Sequence, residues 1–109
     1  MDLLNELQTK LNELDASIKS LRKTGQEYAE AYTNYRIKLA AKLVELKSGG
    51  MPVTIAYDVA RGEQSTAKAK YNEIVKYAIY QANQEAIQSL KLQIRIIEGQ
   101  IQREWGNVK

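Results

Sequence analysis

The 109-residue chain contains no cysteine, no histidine and no phenylalanine, only one proline and one tryptophan, and six glycines. Without Cys or His there is no disulfide, no thiolate nucleophile, no zinc site of the Cys/His kind and no imidazole acid–base chemistry. Apolar runs never exceed four residues, far below the roughly 20 that a membrane-spanning helix needs. The start, Met1-Asp2-Leu3-Leu4-Asn5-Glu6, carries acid where a secretory leader carries base, so no leader is expected. A cytoplasmic bacterial location, away from membranes, is the expectation. With 44% apolar and 27% charged residues the chain has the balance of a folded domain, not of a disordered one.

What the chain does have is helical periodicity. Leu4, Leu7, Leu11, Leu14, Ile18, Leu21, Gly25, Tyr28, Tyr32, Tyr35 and Leu39 follow one another in alternating steps of three and four. That spacing keeps one stripe facing a partner helix, as in a coiled coil. Leu43 and Leu46 extend it until Ser48-Gly49-Gly50, where a left-handed glycine cap is expected. A second stripe runs Ala67, Tyr71, Ile74, Ala78, Ala82, Ile87, Leu90, Ile94, Ile97, Ile101 and Trp105. Between them, Pro52 blocks continuation of the first helix. Thr54 is placed to cap a short helix ending at Gly62, with Val53, Ile55 and Val59 folding back as a plug.

The expectation is therefore an all-α chain: a long antiparallel helical hairpin forming a single domain over residues 1–109. Its parts are a helix over 2–47, a tip loop and short helix over 48–64, and a helix over 65–106, with Gln64 or Ser65 as the second long helix's cap. Antiparallel pairing in one register sets Leu7 against Trp105, Leu14 against Ile97, Ile18 against Ile94, and Gly25 against Ile87. Tyr32 and Tyr35 then fall beside Tyr80 and Tyr77. Two helices alone bury little, and Val75, Ile79, Leu92 and Ile96 lie off the main stripe. These four are the candidate oligomer face, in a homo-oligomer built as a four-helix bundle or larger assembly. The competing arrangement is a monomer bent at Gly25.

Enzymatic chemistry finds little footing. Glu27 and Glu30 sit one turn apart, a spacing that can hold magnesium, but only Glu85 is positioned opposite, and a solvated acidic patch is the plainer reading. Gly49-Gly50 is not a phosphate loop, and the five serines have no histidine to activate them. No enzyme activity, cofactor or metal is expected. Charge is more informative, because residues 36–76 hold eight bases against four acids. Arg36, Lys38, Lys42, Lys47, Asp58, Arg61, Lys68 and Lys70 form the candidate tip contact surface, facing an acidic protein or phosphates. A helix-turn-helix reading of the tip fails because Arg61-Gly62-Glu63-Gln64 is too short a turn. The tyrosines near mid-chain are core by spacing, and alternatively a stacking pocket for a nucleotide.

Tyr35-Arg36, Leu46, Gly50-Met51-Pro52-Val53-Thr54, Asp58-Val59-Ala60-Arg61-Gly62 and Arg103-Glu104-Trp105 resemble uncharacterised short coiled-coil proteins of phages and prophages of Gram-positive bacteria. The resemblance spans roughly residues 28–106, and such proteins lie among early genes near replication and recombination functions. It implies a non-enzymatic phage accessory protein that binds a host or phage protein, in host takeover or against a defence system. The alternatives are a nucleic-acid-binding accessory factor of replication or recombination, and a protein that sequesters a nucleotide.

Overall fold

The structure, a computed structural model, describes residues 2–108 and is all-helical there. Three helices follow in order: α1 Asp2–Ser48, α2 Val53–Gly62 and α3 Gln64–Val108. No helix is long and apolar enough, among the described residues, to cross a membrane. α1 ends in a Schellman arrangement. Gly50 takes φ 90°, its N–H donates to the Lys47 carbonyl at 3.0 Å, and the Met51 N–H donates to the Leu46 carbonyl at 3.2 Å. A left-handed residue is needed there, and glycine has no Cβ to oppose it.

The chain divides into two compact units, and both long helices contribute to each. One unit joins the segment ending at Lys23 to the segment starting at Gln81. Within it the two segments run in opposite directions. Leu4 and Leu7 share a cavity with Arg95, Glu98, Ile101 and Gln102, while Leu11 and Leu14 share another with Gln88, Lys91 and Ile94. Further along, the Asn83 side-chain amide donates to the Ser17 carbonyl at 2.9 Å. Ile87, Leu90, Ile94 and Ile97 are buried, in three–four steps. Those four residues lie inward as the sequence places them, but Trp105, expected on the same stripe, is 60% exposed. The facing pairs also differ from those expected: Leu7 shares its cavity with Glu98 and Ile101 rather than Trp105, and Leu14 with Ile94 rather than Ile97.

On α1 the inward positions are Leu7, Lys10, Leu14, Ser17 and Leu21, all half-buried. Leu4, Leu11 and Ile18 remain between 41% and 48% exposed. The apolar arc of this segment is thus rotated away from α3, with lysine and serine at the seam and a column of leucine and isoleucine beside it. Lys10 is tolerated there because its stem packs while its ammonium reaches Glu13 at 3.3 Å.

The second unit is Thr24–Tyr80 and contains all of α2. Its register differs from the expected one. A Cβ built on Gly25 would lie 3.1 Å from the Tyr80 ring, so Gly25 faces Tyr80 and not Ile87, seven residues further on. Likewise Tyr28 lies 5.0 Å from Tyr77 and 6.1 Å from Tyr80 between ring centroids, the latter pair stacked. Glu27 pairs with Lys76 at 3.3 Å. The error is one heptad, the shift that leaves a three–four pattern unchanged and that periodicity therefore cannot detect.

The inward face of α3 in this unit is also corrected. Thr66, Ala69 and Glu73 are buried and Lys76 and Tyr80 half-buried, whereas Ala67, Tyr71, Ile74 and Ala78 are exposed. Polar residues occupy the seam because each finds a partner: Thr66 Oγ1 bonds the Glu63 carboxylate, and Glu73 takes Lys70 at 3.5 Å. A hydrophobic stripe cannot reveal a seam of that composition. On α1 the buried line is Ala31, Tyr35 and Leu39. Steps of four turn such a line by about 40° each, since a helix advances 100° per residue. The face therefore swings round to meet α2 as well as α3.

The Gly25 contact yields a test. Gly25→Ala alone gains helix propensity but crowds a ring. In a Tyr80→Ala background the same change is expected to add about 1 kcal/mol of stability, more than it adds with the ring present. Equal gains in the two backgrounds, by chemical denaturation, would show that the ring does not rest there.

Candidate binding surface at the tip of the Thr24–Tyr80 unit

The short helix α2 is built inside out. Pro52 caps its start with φ −58° and ψ 143°, and the Pro52 carbonyl accepts the Ala56 N–H at 2.9 Å. No side chain caps it, so Thr54 does not have the capping role expected of it. Its inward residues are Ala56 and Ala60, both 0% exposed. Ala60 joins Tyr35, Leu39 and Ala69 in one core cluster, with Leu43 and Leu46 packed against it. Alanines one turn apart let the helix backbone approach closely. The larger side chains are displaced outward: Val53, Ile55, Tyr57 and Val59 are exposed, at 61%, 54%, 37% and 41%. The expected plug of Val53, Ile55 and Val59 does not form, because alanine takes the space.

Glu63 joins α2 to α3. Its N–H donates to the Ala60 carbonyl, and its own carbonyl accepts the Ala67 N–H at 2.8 Å. Its carboxylate accepts the Thr66 N–H at 2.9 Å and the Thr66 hydroxyl at 3.1 Å. The cap of α3 is therefore Glu63, not Gln64 or Ser65 as expected. Backbone N–H groups of Ser65 and Thr66 hold the Glu63 carboxyl below its usual range, with smaller help from the Thr66 hydroxyl and Lys42. Hydrogen bonds that favour the ionised form produce this direction.

The residues of the candidate contact surface all fall in this unit, and all but the half-buried Lys42 are exposed. Some are engaged: Lys38 bonds Ser65 Oγ at 3.1 Å, Lys42 pairs with Glu45 at 3.3 Å, and Lys70 lies 4.9 Å from the Tyr35 ring while holding Glu73. Arg61 stacks on Tyr57, its guanidinium carbon 4.4 Å from the ring centroid. Arg36, with Leu39, Ala40, Leu43 and Tyr57, lines a notch between α1 and α2. Sequence reading missed Tyr57, whose position four residues before Arg61 on a helix was the available signal.

Other candidates resolve as follows. Glu27 is held by Lys76 and Glu30 by Gln26, and no group of three or more acids, His or Cys suited to a metal occurs among the described residues. The rings of Tyr28, Tyr77 and Tyr80 pack on one another. Of the candidate oligomer face, Val75 is half-buried and Ile79 exposed in this unit, and Leu92 and Ile96 are each 53% exposed in the other. No family model matches the chain, and no curated protein or solved structure matches it.

The Glu63 cap gives a pH prediction. A carboxyl depressed in the folded state stabilises it above the ordinary carboxylate pKa near 4.5, and that contribution is lost as pH falls through the depressed value. Glu63→Ala should melt below the wild type at pH 7, and the gap should close on acidification below pH 4.5. A gap independent of pH would rule out the carboxylate as the source.

Proposed function

We propose that the chain is a non-catalytic binding protein, a helical hairpin whose tip engages a partner protein. The observation that carries this is α2, which buries two alanines and turns four larger apolar or aromatic side chains outward. Exposed apolar residues gathered on one short element mark interaction sites more often than chance placement does. The basic residues around them favour a protein partner with acidic character. The resemblance to phage proteins supplies the biological setting: an accessory factor that captures a host or phage protein. Self-association is part of the same reading, supported by the half-exposed column Leu4, Leu11 and Ile18 and by exposed Leu92 and Ile96.

The test compares wild type with Ile55→Glu/Val59→Glu, both immobilised, in lysate of a phage-infected Gram-positive host. Both positions are exposed, so thermal melting should be unchanged. A protein retained by the wild type and lost by the variant is expected; equal retention, or none, overturns the tip as the working surface. For assembly, the wild type is expected to sediment at about twice its 12.4 kDa and Leu11→Glu at the single-chain mass. A wild type that stays monomeric at high concentration refutes self-association.

A further inference from the structure

We propose that a second copy of this chain docks on the groove between α1 and α3 in the unit that ends at Lys23 and resumes at Gln81, about a two-fold axis level with Leu11. The two copies of α1 meet antiparallel, Leu11 on Leu11 and Leu4 on Ile18, and Lys91 of each copy pairs with Glu98 of the other. Self-association is the premise taken from the functional reading; the new content is one face, one direction and one set of charge pairs.

The groove is a continuous face. Leu4, Leu7, Arg95, Glu98 and Ile101 help line one cavity, Leu11, Leu14, Lys91, Ile94 and Arg95 help line the next, and Arg95 belongs to both. On the α1 wall Leu4 and Leu11 are about half exposed, and so is Ile18, the next residue of the column. Lys91 and Glu98 are exposed on the α3 wall. They stand seven residues apart, about 10 Å along the helix, beyond ion-pair reach of each other. Among the described residues, neither they nor Arg95 takes part in an ion pair. Leu92 and Ile96 line neither cavity and have no part in this contact.

A second copy is selected by where these residues are centred. Under a two-fold axis, a contact of residue i with residue j of the other copy is always matched by j with i. The α1 column meets that condition about Leu11: with the helices antiparallel, Leu4 falls opposite Ile18 and Leu11 opposite itself. The α3 charges meet it about a point between Ile94 and Arg95, where Lys91 falls opposite Glu98 on both sides of the axis. The two centres lie at one height, for Leu11 shares its cavity with Ile94 and Arg95. A single axis therefore serves both helices and gives a four-helix layer with aliphatic residues closed on aliphatic residues and lysine on glutamate. One contact opposes it: Arg95 falls nearest its own copy. That single repulsion is set against two attractions, and removing it should tighten the dimer. A foreign helix gains nothing from the coincidence of the two centres.

The chain has no cysteine, so introduced ones report only this contact. Leu4→Cys, Leu11→Cys and Ile18→Cys, made singly in the full chain, are treated with a bis-maleimide spanning less than two helix turns, about 10 Å. Leu11→Cys should cross-link to itself at about twice 12.4 kDa. Leu4→Cys and Ile18→Cys should each fail to do so alone and should cross-link when mixed. In sedimentation equilibrium, Lys91→Glu and Glu98→Lys should each dissociate about tenfold more readily, because each sets like charges at both contacts. Their equimolar mixture and the double variant Lys91→Glu/Glu98→Lys should both recover the wild-type dimer, since each restores opposite charges. Arg95→Gln should dimerise more tightly than the wild type. Self-cross-linking of Leu4→Cys, a charge swap that does not rescue, or weakening by Arg95→Gln overturns this axis; if the wild type still sediments as a dimer, self-association itself stands. A wild type that is monomeric throughout overturns both.

Discussion

The packing of the Thr24–Tyr80 unit depends on a missing side chain. Gly25 leaves open the space that the Tyr80 ring fills, and a Cβ there would sit 3.1 Å from that ring. Tyr28 then stacks on Tyr80 and tilts against Tyr77, so three rings share one site. Aromatic groups bury large areas, and their mutual geometry adds to the gain. That site fixes which turn of α3 lies beside which turn of α1. Small residues then fall where α2 must approach, and Ala69 shares a cluster with Tyr35, Leu39 and Ala60.

From that register follows the character of the tip. With Tyr35 and Leu39 already packed on Ala69, the remaining room admits a helix only through its smallest residues. Ala56 and Ala60 enter completely, and the branched and aromatic residues of α2 have nowhere to go but outward. The same crowding leaves Arg36 beside Tyr57 and Arg61 above it. Exposure of apolar residues next to cations is thus a consequence of how the core is filled.

Much of this was legible in the sequence. Element order, the Gly50 cap and the Ile87–Ile97 stripe could all be read from spacing and punctuation. Four features could not. Heptad spacing is unchanged by a shift of seven, so facing residues were misjudged by one heptad. The seam of α3 in the Thr24–Tyr80 unit is Thr66, Ala69, Glu73 and Lys76, residues that a search for apolar stripes passes over. Glu63 as a cap was hidden because glutamate is not among the favoured cap residues, and its role depends on the Thr66 hydroxyl as a second donor. The basic tip was legible as composition, but its apolar companions were read as plug, since hydrophobicity alone does not say which side of a helix alanine will claim.

The two units also differ in how they treat apolar surface. In the unit ending at Lys23 and resuming at Gln81, the seam accepts Lys10 and Ser17 while Leu4, Leu11 and Ile18 stand beside it, partly in water. Rotation of α1 about its axis would bury that column at the expense of two polar residues. A helix whose apolar arc is wider than one neighbour can cover is the expected form when a second neighbour is to be accommodated. The column is regular, at seven-residue spacing, which suits another helix. At the tip the exposed residues are irregular, mixed with arginine, and gathered on ten residues of α2. Regular aliphatic spacing favours assembly of like with like, whereas a mixed cationic and apolar surface favours discrimination among foreign partners by charge. In the proposed reading, assembly and recognition therefore draw on different chemistry within one chain.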